Sequence, residues 1–180
     1  GLDAVRVNDP VMEWKTKEKK KVYVQVGWDG RVAPNELVQT FYLPQQKDQV
    51  TQLSRDVDTA VSELTQLVED LSEDDKTDLA EVLNDKQDAF KKTELNKAIK
   101  DLPKLAKGET WPEGSTEAAM LSAKALIAQR DQLKKNLKTA QEQLEKDTHA
   151  TIEALTDVQV DEVLTAKWIT ALMGDLREIP

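Results

Sequence analysis

Two long stretches of the chain repeat apolar residues at alternating intervals of three and four positions, and no Gly or Pro interrupts the first. Such spacing is typical of the a/d seam of a heptad helix. Helices are therefore expected at residues 45–71 and 116–153. The seam residues are Val50, Leu53, Val57, Ala60, Leu64, Leu67 and Leu71, then Ala119, Ala123, Leu126, Arg130, Leu133, Leu137, Ala140 and Leu144. The pattern predicts a mainly α chain whose two long helices fold back as an antiparallel coiled-coil hairpin.

The residues around these helices predict the other helical elements. Residues 72–115 read as a helical insertion, opened by a cap at Ser72 and containing a Pro- and Gly-rich loop at residues 108–114. Thr156 and Gln159 match a capping box, which opens a last amphipathic helix at residues 157–177. The predicted helical region thus covers residues 44–180.

Residues 1–43 read as a small β-rich unit with a short helix. Valines alternate with other residues at positions 22–26, the period of a half-buried strand, and the partner strand lies either at residues 5–7 or at residues 12–14. The charged residues 15–19 suit a hairpin tip, and Asn35 begins the short helix. A turn is expected at residues 28–30, with Gly30 at positive φ.

The apolar stripe on the long helices is wider than a two-helix coiled coil requires. Val61 and Val68 flank the first seam, and Ile127 flanks the second. Extra width of this kind predicts a further helix packed against the hairpin. Three occupants are consistent with the pattern: the C-terminal helix of the same chain, a second copy of the chain, or a helix from another subunit.

The charge of the chain argues against unaided DNA binding. Its formal net charge is −9 and its pI is near 4.8, whereas phosphate neutralisation needs clustered Lys and Arg. One basic cluster stands out, either as a solvated hairpin tip or as a contact for DNA phosphates beside a catalytic domain. It comprises Lys15, Lys17, Lys19, Lys20 and Lys21.

We expect no catalytic, cofactor-binding or metal-binding residue in this chain. The absence of cysteine excludes disulfides and thiolate sites, and the single His149 is expected on a helix surface. Residues 8–11 and 26–30 read as turns rather than as a catalytic motif or a phosphate loop. No apolar run approaches the ~20 residues of a membrane span, which favours a cytoplasmic location. Of the tryptophans, three are expected in the core or in docking and Trp111 is expected to be exposed; the three are Trp14, Trp28 and Trp168.

Residues 7–34, 83–90 and 163–169 resemble the C-terminal region of the DNA-methyltransferase (modification) subunit of bacterial type I restriction-modification systems. The resemblance implies a full-length subunit that transfers a methyl group from S-adenosylmethionine to adenine N6 after base flipping. It also implies partners: a specificity subunit with long helices that reads the DNA, and through it a restriction subunit. This chain lacks the Asn-Pro-Pro-aromatic motif and the cofactor loop of such enzymes. By resemblance, it is an inactive docking region, and residues 1–43 adjoin a catalytic domain outside the chain.

This interpretation assigns an assembly surface to the hairpin seam and the last helix. The expected partner-binding residues are Leu53, Val57, Val61, Leu64, Val68, Leu126, Leu133, Leu137, Trp168 and Ile169. The DNA-phosphate contacts considered are Lys17, Lys19, Lys20 and Lys21. The alternative is a self-associating coiled-coil scaffold or adaptor with no link to methylation, which would form a homodimer by itself.

Overall fold

The computed structural model describes residues 1–106 and 108–177. These residues are mainly helical, with one two-stranded antiparallel sheet near the N-terminus, which confirms the predicted fold class at this level. The chain divides into two compact units. The terminal unit combines Gly1–Thr51 with Lys138–Pro180, and the middle unit is Gln52–Leu137. The division falls inside the two long helices, whereas the sequence had suggested a boundary between residues 43 and 44.

The described residues form two strands, six α-helices and a short 3-10 helix. The two helices near the C-terminus have the bounds expected from the sequence. No helix in the described part of the chain combines the length and the apolar character needed to cross a membrane. The elements are a 3-10 helix at Leu2–Arg6, β1 at Asn8–Lys17, β2 at Lys20–Gly30, α1 at Asn35–Tyr42, α2 at Pro44–Glu69, α3 at Glu73–Asp78, α4 at Lys92–Asp101, α5 at Thr116–Glu153 and α6 at Asp157–Arg177.

The sheet is a β-hairpin formed by β1 and β2. Trp14 lies opposite Tyr23, so the partner strand is the one predicted at residues 12–14, whereas Val5 belongs to the 3-10 helix. Glu18 and Lys19 form the tip with φ of 50° and 65°. Two consecutive residues at positive φ are the geometry of the tight turn that matches strand twist.

Residues 28–30 were predicted as a turn, but they form the end of β2. Gly30 is not at positive φ. Its backbone N–H instead donates to Oδ1 of Asn35 at 3.1 Å, and the Asn35 Nδ2 donates to the Trp28 carbonyl at 2.8 Å. Residues 8–10 likewise begin β1 rather than a turn, and the Asn8 Nδ2 donates to the carbonyl of His149 at 3.2 Å. Side-chain hydrogen bonds that link these residues to α1 and α5 therefore help to hold them in extended strands.

The core of the terminal unit joins the 3-10 helix, α1, the end of α5 and α6. Its side chains are almost completely buried, and each such Val or Leu stabilises the fold by roughly 1.5–3 kcal/mol relative to exposure. The Arg6 Nε also donates to the Leu155 carbonyl at 2.5 Å, which ties the 3-10 helix to the short connection between α5 and α6. The core residues are Val5, Ala33, Val38, Ile152, Leu155, Val160 and Val163.

The core of the middle unit joins α2 and α5 to the insertion. Val68 and Ile127, the positions flanking the two predicted seams, are 3% and 4% exposed in this core. The insertion contributes several residues to this cluster, which the heptad pattern did not predict. The full cluster is Val68, Leu79, Val82, Leu83, Leu95, Met120, Ala123 and Ile127.

The insertion contains a loop at residues 83–90, one of the stretches that carry the family resemblance. Leu83 and Phe90 form an isolated antiparallel bridge. Between them, Oδ1 of Asn84 accepts from the backbone N–H of Asp88 at 3.0 Å, and Gln87 adopts a φ of 56°. The loop is thereby closed on itself and places Leu83, which is fully buried, in the middle-unit core.

Candidate assembly surface

Helix α6 begins at a capping box. The Thr156 Oγ1 accepts from the backbone N–H of Gln159 at 3.3 Å, and the Gln159 Oε1 accepts from the backbone N–H of Thr156 at 2.9 Å. Two backbone donors that have no partner within the helix are satisfied reciprocally. The sequence prediction of this cap is confirmed, and the start of α6 is fixed by it.

Helix α6 is anchored to the terminal unit by polar contacts as well as by the buried valines of its inner face. The Tyr42 hydroxyl donates to Oε2 of Glu162 at 3.1 Å, and the Lys167 Nζ donates to the Val32 carbonyl at 2.8 Å. Burial, followed by the hydrogen bond to Glu162, raises the pKa of Tyr42 above its ordinary value. Because one face is held in this way, the rotation of the helix about its own axis is fixed.

The outer face of α6 is apolar and exposed. Trp168 is 71% exposed, Ile169 56%, Leu172 60% and Met173 53%. At 3.6 residues per turn these four side chains cover an arc of about 140°. We call them the α6 face. A helix that is apolar on both sides is normally buried on both sides, and contiguous apolar patches on a surface mark interaction sites.

The α6 face corrects the prediction of an amphipathic last helix. An amphipathic helix has a single apolar side, which would place Trp168, Ile169 and Leu172 together with Val160 and Val163. Val160 and Val163 are fully buried, whereas the other three point away from the core. The signal for this arrangement was present in the sequence, because at about 100° per residue the large apolar residues in the second half of α6 fall on the side roughly opposite Val160 and Val163.

The partner-binding residues predicted on the two long helices all lie in the middle unit and differ widely in exposure. Val57 and Val68 are buried, and Val61 is 41% exposed. Val61 also borders a shallow depression that Phe90 and Arg130 help to line. The remaining positions are half-buried, so that each still presents part of its side chain: Leu53, Leu64, Leu126, Leu133 and Leu137.

The basic cluster lies at the tip of the β-hairpin, as predicted. Trp14 is 68% exposed and packs against Tyr23 with ring centroids 4.9 Å apart, so it is not a core residue. Trp111, predicted to be the exposed tryptophan, is half-buried in its loop and is therefore less exposed than predicted. All members of the basic cluster are exposed: Lys15, Lys17, Lys19, Lys20 and Lys21.

His149 lies on α5, as predicted, but it is half-buried rather than freely exposed. Its ring centroid lies 4.6 Å from that of Trp28. The backbone N–H of Trp28 donates to Oε1 of Glu145 at 3.1 Å, and Gly27 leaves room for that carboxylate. These contacts give His149 a structural role in joining β2 to α5. Within the described residues, no group of three or more His, Cys, Asp or Glu could hold a metal ion.

Comparisons with known proteins leave the chain without a demonstrated relative. No family model, no curated protein and no solved structure matches it. The resemblance to type I modification subunits therefore remains an interpretation of residues 7–34, 83–90 and 163–169. The third of these stretches lies within α6 and includes the first two residues of the α6 face.

Proposed function

We propose that this chain is the non-catalytic C-terminal region of the modification subunit of a type I restriction-modification system. In this role it docks an adenine-specific, S-adenosylmethionine-dependent DNA methyltransferase onto the specificity subunit. The observation that carries the proposal is the α6 face, an exposed apolar surface on a helix that also carries one of the three resembling stretches. The cofactor and the chemistry belong to the catalytic domain of the full-length subunit.

The shape of the α6 face favours a helical partner. Trp168, Ile169, Leu172 and Met173 follow the three- and four-residue spacing by which one helix packs along another. Trp168 is the largest of them, and tryptophans are enriched among the residues that dominate binding energy. Because the inner face of α6 is already anchored, little ordering of the helix is needed on binding. Long helices in the specificity subunit, implied by the resemblance, suit this surface.

We propose further that α2 and α5 form an antiparallel coiled-coil hairpin. In the middle unit, Val68 near the end of α2 shares a core with Ala123 near the start of α5. In the terminal unit, Gln46 near the start of α2 donates to Oδ2 of Asp147 near the end of α5 at 3.0 Å. Both pairings support opposite helix directions. Half-buried seam residues would offer a second contact for partner helices: Leu53, Leu64, Leu126, Leu133 and Leu137, with Val57 and the exposed Val61 beside them.

The test is light scattering on a sizing column, with the chain alone and mixed with the specificity subunit of the same operon. We expect a stoichiometric complex. We expect the double variant Trp168→Glu, Leu172→Glu to bind the specificity subunit more weakly. For each of the two residues that contributes about 2 kcal/mol to binding, the Kd should rise by more than about 30-fold. Thr170→Glu is the matched control, since Thr170 is exposed on the same helix about 60° outside the arc of the α6 face.

Undiminished binding by the double variant would remove the α6 face from the interface. A wild-type chain that does not bind the specificity subunit would contradict the proposal as a whole. The second candidate, a self-associating scaffold, rests on the same face, because an exposed apolar stripe can pair with a second copy. A tight homodimer that ignores the specificity subunit, and that Trp168→Glu with Leu172→Glu disrupts, would establish that function instead.

A further inference from the structure

The outer part of the β-hairpin extends into solvent. Every residue from position 11 to position 21 is exposed. Beyond the bulge between Val11 and Met12, the two strands pair without interruption to Lys17 and Lys20. We call residues 12–25 the ribbon. Trp14 and Tyr23 stiffen it, because their rings pack across the strands with centroids 4.9 Å apart and planes tilted by 38°. The ribbon is thus a two-stranded element with both faces accessible along much of its length.

The ribbon concentrates positive charge in an acidic chain. Between residues 13 and 21 there are five lysines and two glutamates, in a chain of net charge −9. In the part of the chain that the structure describes, none of the five lysines takes part in an ion pair. Other lysines do form ion pairs, such as Lys47 with Glu36 and Lys92 with Asp131. Within the described ranges, the positive charge of the ribbon is therefore not neutralised by paired carboxylates.

The positions of the lysines carry an energetic cost for folding. Lys17 lies directly opposite Lys20 at the end of the ribbon, and like charges opposite each other destabilise a strand pair. An isolated two-stranded hairpin is only marginally stable in water. Lys21 lies across from Thr16, and Lys15 across from Val22, so the charges occupy both faces as well as the tip. A polyanion around the ribbon would remove this repulsion.

We propose that the ribbon binds duplex DNA, lying in the major groove with its lysines against the phosphates on either side. The major groove of B-form DNA, about 12 Å wide, admits a two-stranded β-ribbon. Lysines on both faces and at the tip suit two flanking phosphate rows. A single-strand site needs separate aromatic platforms along a basic groove, whereas Trp14 and Tyr23 pack on each other. The narrow major groove of A-form RNA does not admit such an element.

The acidic balance of the rest of the chain predicts weak and strongly salt-dependent binding. Each lysine that neutralises a phosphate contributes about 0.9 to the slope of log affinity against log salt concentration. The inference does not rest on the proposed function, because DNA binding is measured on this chain without a specificity subunit. A modification subunit would use such a contact to hold the duplex beside its catalytic domain.

The first experiment is fluorescence anisotropy of a labelled 30-base-pair DNA duplex, titrated with the chain at several low salt concentrations. We expect saturable binding, and a slope that falls by about 0.9 per lysine in a Lys17→Gln, Lys20→Gln, Lys21→Gln variant. The control carries Lys97→Gln, Lys100→Gln and Lys134→Gln, which remove the same charge from exposed helix positions. We expect its slope to match that of the wild type.

Four results would overturn the inference: no duplex binding at low salt, an equal loss in the control, tighter binding of single-stranded DNA, or equal binding of an RNA duplex. A second measurement does not depend on affinity. Because the chain has no cysteine, Thr16→Cys can carry a photo-cross-linker at one defined place on the ribbon. We expect cross-linking to the duplex from position 16 and none from Ser62→Cys on α2; equal yields from the two positions would contradict the proposed site.

Discussion

Gly30 lies against the backbone carbonyl of Ala33, so that a Cβ atom on residue 30 would stand 2.0 Å from that oxygen. It would also lie 3.1 Å from Cδ1 of Ile152, a fully buried core residue. The close approach lets the chain leave β2 and enter α1 within a few residues. Glycine is required here by space rather than by backbone conformation.

Gly30→Ala should therefore destabilise the terminal unit, because the backbone at Ala33 has to move. We expect the free energy of unfolding to fall by about 1–3 kcal/mol, the range for overpacked sites. Gly27→Ala is the matched control: its Cβ would meet only the carboxylate of Glu145, at the end of a flexible side chain. In Gly27→Ala, the free energy of unfolding should fall by about 1 kcal/mol or less, the value of one hydrogen bond. Urea unfolding measures both, and equal losses would contradict the argument.

Val61 and Val68 occupy the same helix and were predicted to belong to the same surface, yet they should respond differently to truncation. Val68 is 3% exposed in the middle-unit core, whereas Val61 is 41% exposed. We expect Val68→Ala to lower the free energy of unfolding by about 2 kcal/mol and Val61→Ala by less than about 0.5 kcal/mol. The urea concentrations at which the two variants are half unfolded measure this difference. Similar losses at the two positions would mean that Val61 is also covered. Because Val68 is buried in the core, Val68→Glu would destabilise the middle unit itself, so it is unsuitable as a probe of partner binding.

The sequence predicted the local elements well and the tertiary environment of individual side chains less well. Heptad spacing and the Thr156 cap located α5 and α6, since both signals depend only on neighbouring residues. Gly30 was misread because glycine serves equally for positive φ and for close approach. The exposure of Trp168 and the burial of Val68 depend on which distant segments cover each side of a helix. Periodicity reports that a position is apolar, but it does not report what covers it.

Asp131 joins α5 to α4 through Lys92 within the middle unit, and this link should depend on pH. The hydrogen bond from Lys92 is the main cause that lowers the pKa of Asp131, followed by that from Arg130 at 2.7 Å. A carboxyl whose folded pKa lies below its unfolded value stabilises the fold above the unfolded pKa of 3.8, and the contribution disappears as pH falls through the folded pKa.

Asp131→Asn should therefore reduce stability at pH 7 and have a progressively smaller effect below about pH 4. Because Lys92 is 60% and Asp131 35% exposed, solvent screening limits the loss to about 0.2–1 kcal/mol. Urea midpoints of the two proteins at pH 7 and pH 2.5 provide the measurement. A difference that widened on acidification would show that Asp131 is not stabilised as the ion described here.

The capping box of α6 should contribute to the stability of the helix that carries the α6 face. Thr156→Ala removes the hydroxyl that accepts from the N–H of Gln159, and loss of such a cap typically costs about 1 kcal/mol. Thr165→Ala is the matched control, because the Thr165 hydroxyl donates to the Asp161 carbonyl within the same helix, where alanine has the better helix propensity. We expect Thr156→Ala to increase hydrogen exchange in the first turns of α6 and Thr165→Ala to leave it unchanged.

Since the cap fixes where α6 begins, Thr156→Ala should also weaken specificity-subunit binding slightly, and far less than Trp168→Glu. Equal exchange in the two variants would show that the core contacts of Val160 and Val163 alone hold the start of the helix.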